Sequence, residues 1–311
     1  MTSLALIDRA NKALNTIPAD IDFSKYLSRE ERARVIPAAQ LAEEGKRQML
    51  LGTEAQKGLL LPWAKCDGKV IILPGKLAVW CGWSFHGKSQ MLKHLMTHAL
   101  SVSEKVCIAS MEEELLAVWK TMARIACGVA SPAPRSIDNF AAMAGKSLWF
   151  YDQQGSIKAE KIRAVIRYAA EELGVTQFVI DSLMMLSVPR DDYDAQSVFV
   201  GELKTLAADT GCTIHLVAHM RKGSGKGGED QPGTTHDISG GHEVASKADY
   251  VFNVWRDKNG TSTTGYQTVL KVEKQRGEID YIGSFGLDFD KASGQFVDGN
   301  AKRYCSERVD L

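Results

Sequence analysis

The 311-residue chain lacks several features that would decide its class at once. It carries no excess charge, because 38 Lys+Arg balance 38 Asp+Glu. Nucleic-acid binding through bulk positive charge is thereby excluded, and any such binding must come from a local patch. No run of about 18 apolar residues occurs, so no membrane-spanning helix is expected. The first residues, Met-Thr-Ser-Leu-Ala-Leu-Ile-Asp-Arg, carry charge where a secretory leader needs an apolar stretch. The six cysteines (66, 81, 107, 127, 212 and 305) include no C-x-x-C pair. That spacing excludes a zinc ribbon and a disulfide framework and fits reduced thiols in a cytoplasm. Six tryptophans are dispersed, with no stripe that would stack single-stranded bases. No internal repeat is evident. What is present in quantity is core: 44% of the residues are hydrophobic, which excludes disorder over most of the length.

The pattern changes near residue 60. Residues 1–58 are rich in Ala, Leu, Glu, Arg and Lys and read as helices over 3–15, 28–34 and 36–52. Ser28 followed by Glu31 reads as a capping box. This segment is too small for a core of its own and is expected to pack on a neighbour. Residues 59–298 read as one domain, with 299–311 as a tail. In it, short apolar runs at 70–73, 76–82, 106–110, 147–152, 177–181 and 213–219 alternate with helical stretches at 88–100, 112–126, 157–173 and 195–210. Such runs suit strands buried on both faces of a parallel sheet, and the alternation is the α/β signature. Runs at 250–256, 268–275 and 287–298 read instead as an antiparallel meander, with a turn at 291–294. Residues 222–235 form a Gly-rich polar loop.

Gly82-Trp-Ser-Phe-His-Gly87-Lys88-Ser89 matches G-x-x-x-x-G-K-[ST] between a strand and a helix, the context that gives this motif meaning. Its glycines let backbone N–H groups curl around a phosphate, and the helix start adds a favourable dipole. Lys88 would reach the β- and γ-phosphates, and the Ser89 hydroxyl would ligate Mg²⁺. Gln90 follows on the same helix and belongs to the expected nucleotide site. Trp83 and Phe85 are bulky for such a loop and must point away from the phosphates. Asp181 ends an apolar strand and would hold the metal at the sheet's C-terminal edge. Glu112, Glu113 and Glu114 follow another buried strand, and a carboxylate there can activate water. Three acids at a helix start also satisfy its dipole. His219 ends a further strand, where it could touch the γ-phosphate. His94 and His98 have zinc-helix spacing but lack the Glu after the first His, so no metal is expected there.

In this order the residues resemble the superfamily 4, DnaB-type replicative helicases, nearer the phage and mitochondrial (Twinkle-like) branch. The resemblance spans roughly 66–298. Ser110-Met111-Glu112 is similar to the family's strand-ending second motif and implies that Glu112 is the base. Val-Ile-Asp-Ser-Leu at 179–183 resembles the run into the metal-binding Asp181. His219-Met220-Arg221-Lys222 resembles the sensor motif of the phage branch. Asp237-Ile-Ser239-Gly240-Gly241-His242 resembles a DNA-binding loop element, which with Lys222 and Lys226 implies a single-stranded DNA contact. Acidic Glu229, Asp230 and Asp237 thin that patch. Lys274-Gln275-Arg276 resembles the K-x-R element whose arginine reaches a neighbouring subunit's γ-phosphate. Arg256 and Phe289 match positions flanking the nucleotide base. Residues 1–58 are too few for a DnaB-sized N-terminal domain, and the helix over 36–52 could be a linker that docks on a neighbour. The resemblance thus implies an α/β, RecA-like P-loop domain that hydrolyses ATP or another NTP with Mg²⁺. It further implies a homohexameric ring on single-stranded DNA, a primase or loader partner, and the cytoplasm of a bacterial or phage-infected cell. The rival is a RecA-, RadA- or KaiC-like recombinase or regulatory ATPase without unwinding.

Overall fold

A computed structural model describes residues 15–17, 21–27, 38–51, 57–153, 155–185, 192–221, 228–239, 241–260, 265–277 and 279–299. The strands are β1 (Asn15–Thr16), β2 (Leu59–Leu60), β3 (Ile71–Ile72), β4 (Leu77–Gly82), β5 (Val106–Ser110), β6 (Leu148–Phe150), β7 (Gln177–Asp181), β8 (Thr213–His219), β9 (Tyr250–Arg256), β10 (Thr268–Gln275), β11 (Gly283–Asp290) and β12 (Gln295–Val297). The helices are α1 (Ser24–Leu27), α2 (Ala42–Leu51), α3 (Lys88–Ser101), α4 (Leu115–Cys127), α5 (Pro134–Ser147), α6 (Ala159–Glu172), α7 (Tyr193–Thr210) and α8 (Gly241–Lys247).

Ten strands form one sheet in the order β1-β6-β5-β7-β8-β4-β9-β10-β11-β12. Pairing is parallel from β1 to β9 and antiparallel from β9 to β12, as the two kinds of apolar run suggest. Every residue of β4, β5 and β7 is buried. Alternation splits β4 between two cores. Leu77, Val79 and Cys81 join Phe199, Leu203, Ile162 and Val165 of α7 and α6. Ala78 and Trp80 join Met91, Leu95, Met122 and Phe140 of α3, α4 and α5. Helices on both faces explain why these strands read as unbroken apolar runs. Trp80 stacks on Phe252, with centroids 4.4 Å apart, and donates its N–H to Nδ1 of His215 at 3.1 Å.

Several expectations are revised. Asn15 does not end a helix: it pairs in parallel with Trp149, and its side chain donates to Gly145 O at 2.6 Å, extending the free edge of β6. Helix α5, absent from the sequence reading, begins with Pro134 in its first turn, where a missing N–H costs nothing. Helix α4 starts at Leu115 rather than 112, because the backbone of Glu113 is tied back to the Ser110 hydroxyl. The run at 70–73 leaves the main sheet, and β3 pairs with β2 instead. The expected helix over 36–52 is a 3₁₀ turn at Ala38–Leu41 leading into α2, whose Met49 and Leu50 are 86% and 76% exposed. The helices expected over 28–34 and most of 3–15, with the Ser28–Glu31 capping box, lie outside the described residues. No helix among the described residues is long and apolar enough to cross a membrane. Cys66, Cys81, Cys107, Cys127 and Cys212 are buried free thiols, and burial pushes the Cys81 thiol up to about 12.

Candidate nucleotide site

Four neighbouring strands, β5, β7, β8 and β4, end at one edge of the sheet, and each delivers one element of the site. This edge contains the point where the chain crosses from β4 to the far side of β7, the usual place for a ligand in an open α/β sheet.

The loop after β4 depends on glycine at both ends. Gly82 has φ of +152°, and a Cβ there would sit 2.2 Å from Val254 O. Gly87 caps α3 with φ of +95°. The two bulky residues are accounted for. Trp83 is buried and donates its indole N–H to Gln231 O at 3.0 Å. Phe85 is 90% exposed, with φ of +63°. His86 is buried, and its Nδ1 accepts from the backbone N–H of Arg256 at 3.0 Å. Burial holds the His86 ring down at about 4.

Lys88 is buried, and its ammonium donates to Gly82 O at 3.0 Å and Trp83 O at 2.9 Å. Burial lowers its pKa to about 8, against the pull of Asp181 and Glu112. Burial also raises Asp181, while a hydrogen bond with Ser89 opposes the rise. A hydroxyl and a carboxylate in contact are hard oxygen donors, so Ser89 and Asp181 fit a Mg²⁺ ion. Gln90, expected at the nucleotide, instead donates to Gly294 O at 2.6 Å and ties α3 to the turn before β12.

Of the three acids after β5, one faces the loop. Glu112 Oε1 accepts from Ser182 Oγ at 2.6 Å and lies 3.6 Å from His219 Nε2. His219, helped by Ser182, pulls Glu112 down to about 2. Glu113 turns the other way, its two oxygens each 2.8 Å from Lys93 Nζ. Glu114 stands at the N-cap of α4. The other ring nitrogen of His219, Nδ1, lies 3.5 Å from Lys88 Nζ and 3.4 Å from Ser84 Oγ. Ser84, Ser182 and Lys93 were missed in the sequence. Only the position of Ser182 beside Asp181 offered a signal there.

Arg256 and Phe289 do meet: the guanidinium lies 5.8 Å from the ring centre, beside the phosphate loop. Ser239 donates its N–H to His219 O at 2.7 Å, and Ile238 bridges Met220. The Asp237–Gly241 element is therefore joined directly to the sensor strand, and Gly241 opens α8. Lys222, Lys226 and Gly240 lie outside the described residues.

Lys274 and Arg276 stand apart from all of these. Lys274 donates to Ala245 O and Ser246 O at the end of α8, at 2.8 and 2.6 Å. Burial, then Arg276, lowers Lys274 to about 8. Arg276 donates to Ser246 O at 3.2 Å and lies 4.0 Å from Asp249. In register, Gln275 faces Tyr250 and Tyr250 faces Ala78. Arg276 is thus at the start of β4, and Gly82 at its end. Five residues of strand separate them, roughly 17 Å. The pair with zinc-helix spacing is also accounted for. His94 Nδ1 accepts from Phe296 N at 3.2 Å, and its ring packs edge-on against Trp63.

The profile of the DnaB-like helicase C-terminal domain matches residues 72–298. The chain belongs to that family. Its fold is that of two solved structures. One, described as the ATPase domain of a larger protein, superposes with a TM-score of 0.71 at 14% identity, covering 85% of this chain and 99% of that one. The other, described as a DnaB-like replicative helicase and its interactions with primase, gives 0.67 at 14% identity, covering 85% and 67%. As a DnaB-like helicase the protein is an NTP-hydrolysing enzyme of the replicative DNA helicase type. The recombinase and regulatory-ATPase reading is not favoured.

Proposed function

We propose that the motor, residues 59–298, hydrolyses ATP or another NTP with Mg²⁺ and uses the energy to move along single-stranded DNA as a homohexameric ring in the cytoplasm. Lys88 and the backbone of the loop bind the phosphates. Ser89 and Asp181 would hold Mg²⁺, which when bound neutralises charge developing on the transferred phosphate. Glu112 accepts the proton of the attacking water. Its low pKa keeps it ionised across the neutral range, ready to accept. His219 touches both Lys88 and Glu112 and so can report the γ-phosphate to the strand that carries Ser239. Arg256 and Phe289 flank the base. Lys274 and Arg276 serve the neighbouring subunit's site. Lys222, Lys226, Ser239, Gly240 and Gly241 meet the DNA. The exposed face of α2 docks on a neighbour, and a primase or loader is the expected partner. The Twinkle-like branch is favoured by His219 in the sensor position.

One observation carries this reading. Lys88, Glu112, Asp181 and His219 come together at one sheet edge from four separate strands, while Arg276 is held at the other edge. A forked-duplex unwinding assay beside an ATPase assay tests it. Wild type should unwind with ATP and be stimulated by single-stranded DNA, and Lys88→Ala should do neither. Strand pairing without unwinding, or an ATPase indifferent to DNA, would reject the reading.

A further inference from the structure

Glu112 stands on a bend, since β5 ends at Ser110 and α4 starts at Leu115. Its backbone surroundings are pinned by Met111 N–H, which donates to Asp181 O at 3.0 Å, and by the Ser110–Glu113 contacts. The residue itself belongs to neither helix nor strand, so no regular element restricts its rotamers. Proton abstraction needs the carboxylate within hydrogen-bond reach of one water, in one orientation. Something must supply that order against the rotamer entropy of a glutamate.

Two groups are placed to do so. His219 Nε2 is 3.6 Å away, but the other face of that ring is turned to Lys88 and Ser84, toward the phosphates. Ser182 has no such divided position. It is wholly buried just beyond β7, and its hydroxyl donates to Glu112 Oε1 at 2.6 Å. Hydrogen bonds to an ionised acceptor are short and strong.

We propose that Ser182 is a positioning residue for Glu112: its buried hydroxyl grips Oε1, fixes the plane of the carboxylate and leaves the second oxygen to accept the water proton. In the step it serves, the water oxygen bonds phosphorus, the bond to the leaving diphosphate breaks, and the proton passes to Glu112. The inference rests on Glu112 being the base.

The test is a double-mutant cycle on the full chain, read by steady-state ATPase and by anisotropy of N-methylanthraniloyl-ADP. Ser182→Ala should lower kcat about tenfold, or about 1.4 kcal/mol of barrier, and leave the affinity for the fluorescent nucleotide within about twofold. Ser182→Cys fills the same volume with a weak donor and should show the same loss, which guards against a folding defect in the alanine variant. In a Glu112→Gln background Ser182→Ala should change turnover by less than about twofold, because the two residues act as a unit. Wild-type kcat in both Ser182 variants would overturn the proposal. So would losses that multiply in the double variant, or a fall in nucleotide affinity matching the fall in kcat. Wild-type turnover in Glu112→Gln alone would remove the base itself, a failure distinct from that of Ser182 with the base intact.

Discussion

Arg276→Ala separates a shared site from a solitary one. In its own chain the guanidinium meets only the last carbonyls of α8 and, at 4.0 Å, Asp249, and its side chain is 52% exposed. A half-exposed contact of this kind contributes at most about 1 kcal/mol, so the variant should fold and bind nucleotide normally. Its own phosphate loop lies five strand residues away, roughly 17 Å, beyond the reach of one side chain. Any loss of turnover must therefore be exerted on a neighbour, where an arginine finger is worth about 10³–10⁵ in kcat. Mixing with Lys88→Ala gives the decisive measurement. Neither parent has a complete site. In an equimolar, randomly assembled head-to-tail ring, half the loops are intact, and half of those face an intact arginine. About a quarter of wild-type phosphate release per site should return, provided the ring does not demand that every site fire. Co-assembly is verified by pull-down through a tag on one parent. No recovery in a verified mixture would refute action in trans or show strictly sequential firing. Full activity of Arg276→Ala alone would remove the finger.

Other residues yield sharper local tests. Glu112→Gln should bind nucleotide but lose about 10²–10⁴ in turnover, whereas Glu113→Gln, which frees Lys93, should lower thermal stability and leave turnover nearly intact; a dead Glu113→Gln with an active Glu112→Gln would reverse the assignment. His215 and His86 are held neutral by burial, at about 3 and about 4, so unfolded chains bind protons near pH 6.5 that folded ones refuse. Stability should be full above about pH 7 and fall on the order of 1 kcal/mol per histidine per pH unit below 6.5; a urea midpoint at pH 5.5 equal to that at 7.5 would contradict this. The Lys222→Ala, Lys226→Ala double variant should weaken single-stranded DNA binding and flatten its salt dependence by about one unit of slope per lysine; an unchanged slope moves the DNA contact elsewhere.

The motor core was legible because its information is local. A buried parallel strand must be apolar throughout, and a loop that wraps phosphate must have Gly82 and Gly87 where side chains cannot fit, so β4, β5, β7 and β8 could be read directly. Chemistry at strand ends followed, since Lys88, Asp181 and His219 each close or follow such a run. What could not be read was contact between distant stretches. Ser182 and Glu112 are 70 positions apart, and nothing in either neighbourhood marks the other. Among Glu112, Glu113 and Glu114 the residues alone left the choice open. Lys93, on the inner face of α3, decides it by engaging Glu113. Helix α5 escaped because its apolar residues are few, with only Phe140 and Ala144 buried. Residue 15 reads as helix because a two-residue strand has no period of its own.

The two edges of the sheet have different duties, and this asymmetry bears on assembly. The edge at the ends of β4, β5, β7 and β8 gathers every group needed to hold a phosphate and activate water. The opposite edge, where β10 ends, carries Lys274 and Arg276 with α8 packed beneath them. A surface that needs the other end of an identical molecule cannot pair with itself. A two-fold dimer, which joins like patches, would leave each loop without its arginine. Head-to-tail contact supplies it, and such contacts close into rings when the rotation allows. The exposed apolar face of α2 adds a second feature of the same kind, Met49 and Leu50 with no core of their own to enter. Strand β8 then links the two functions within a subunit. Its last residue, His219, touches Lys88 and Glu112, and its carbonyl accepts from Ser239 in the element joined to α8. Residues 245 and 246 at the other end of α8 hold Lys274. A shift at His219 on loss of phosphate therefore has a continuous hydrogen-bonded path to the Ser239 loop and, through α8, to the cations offered to the next subunit.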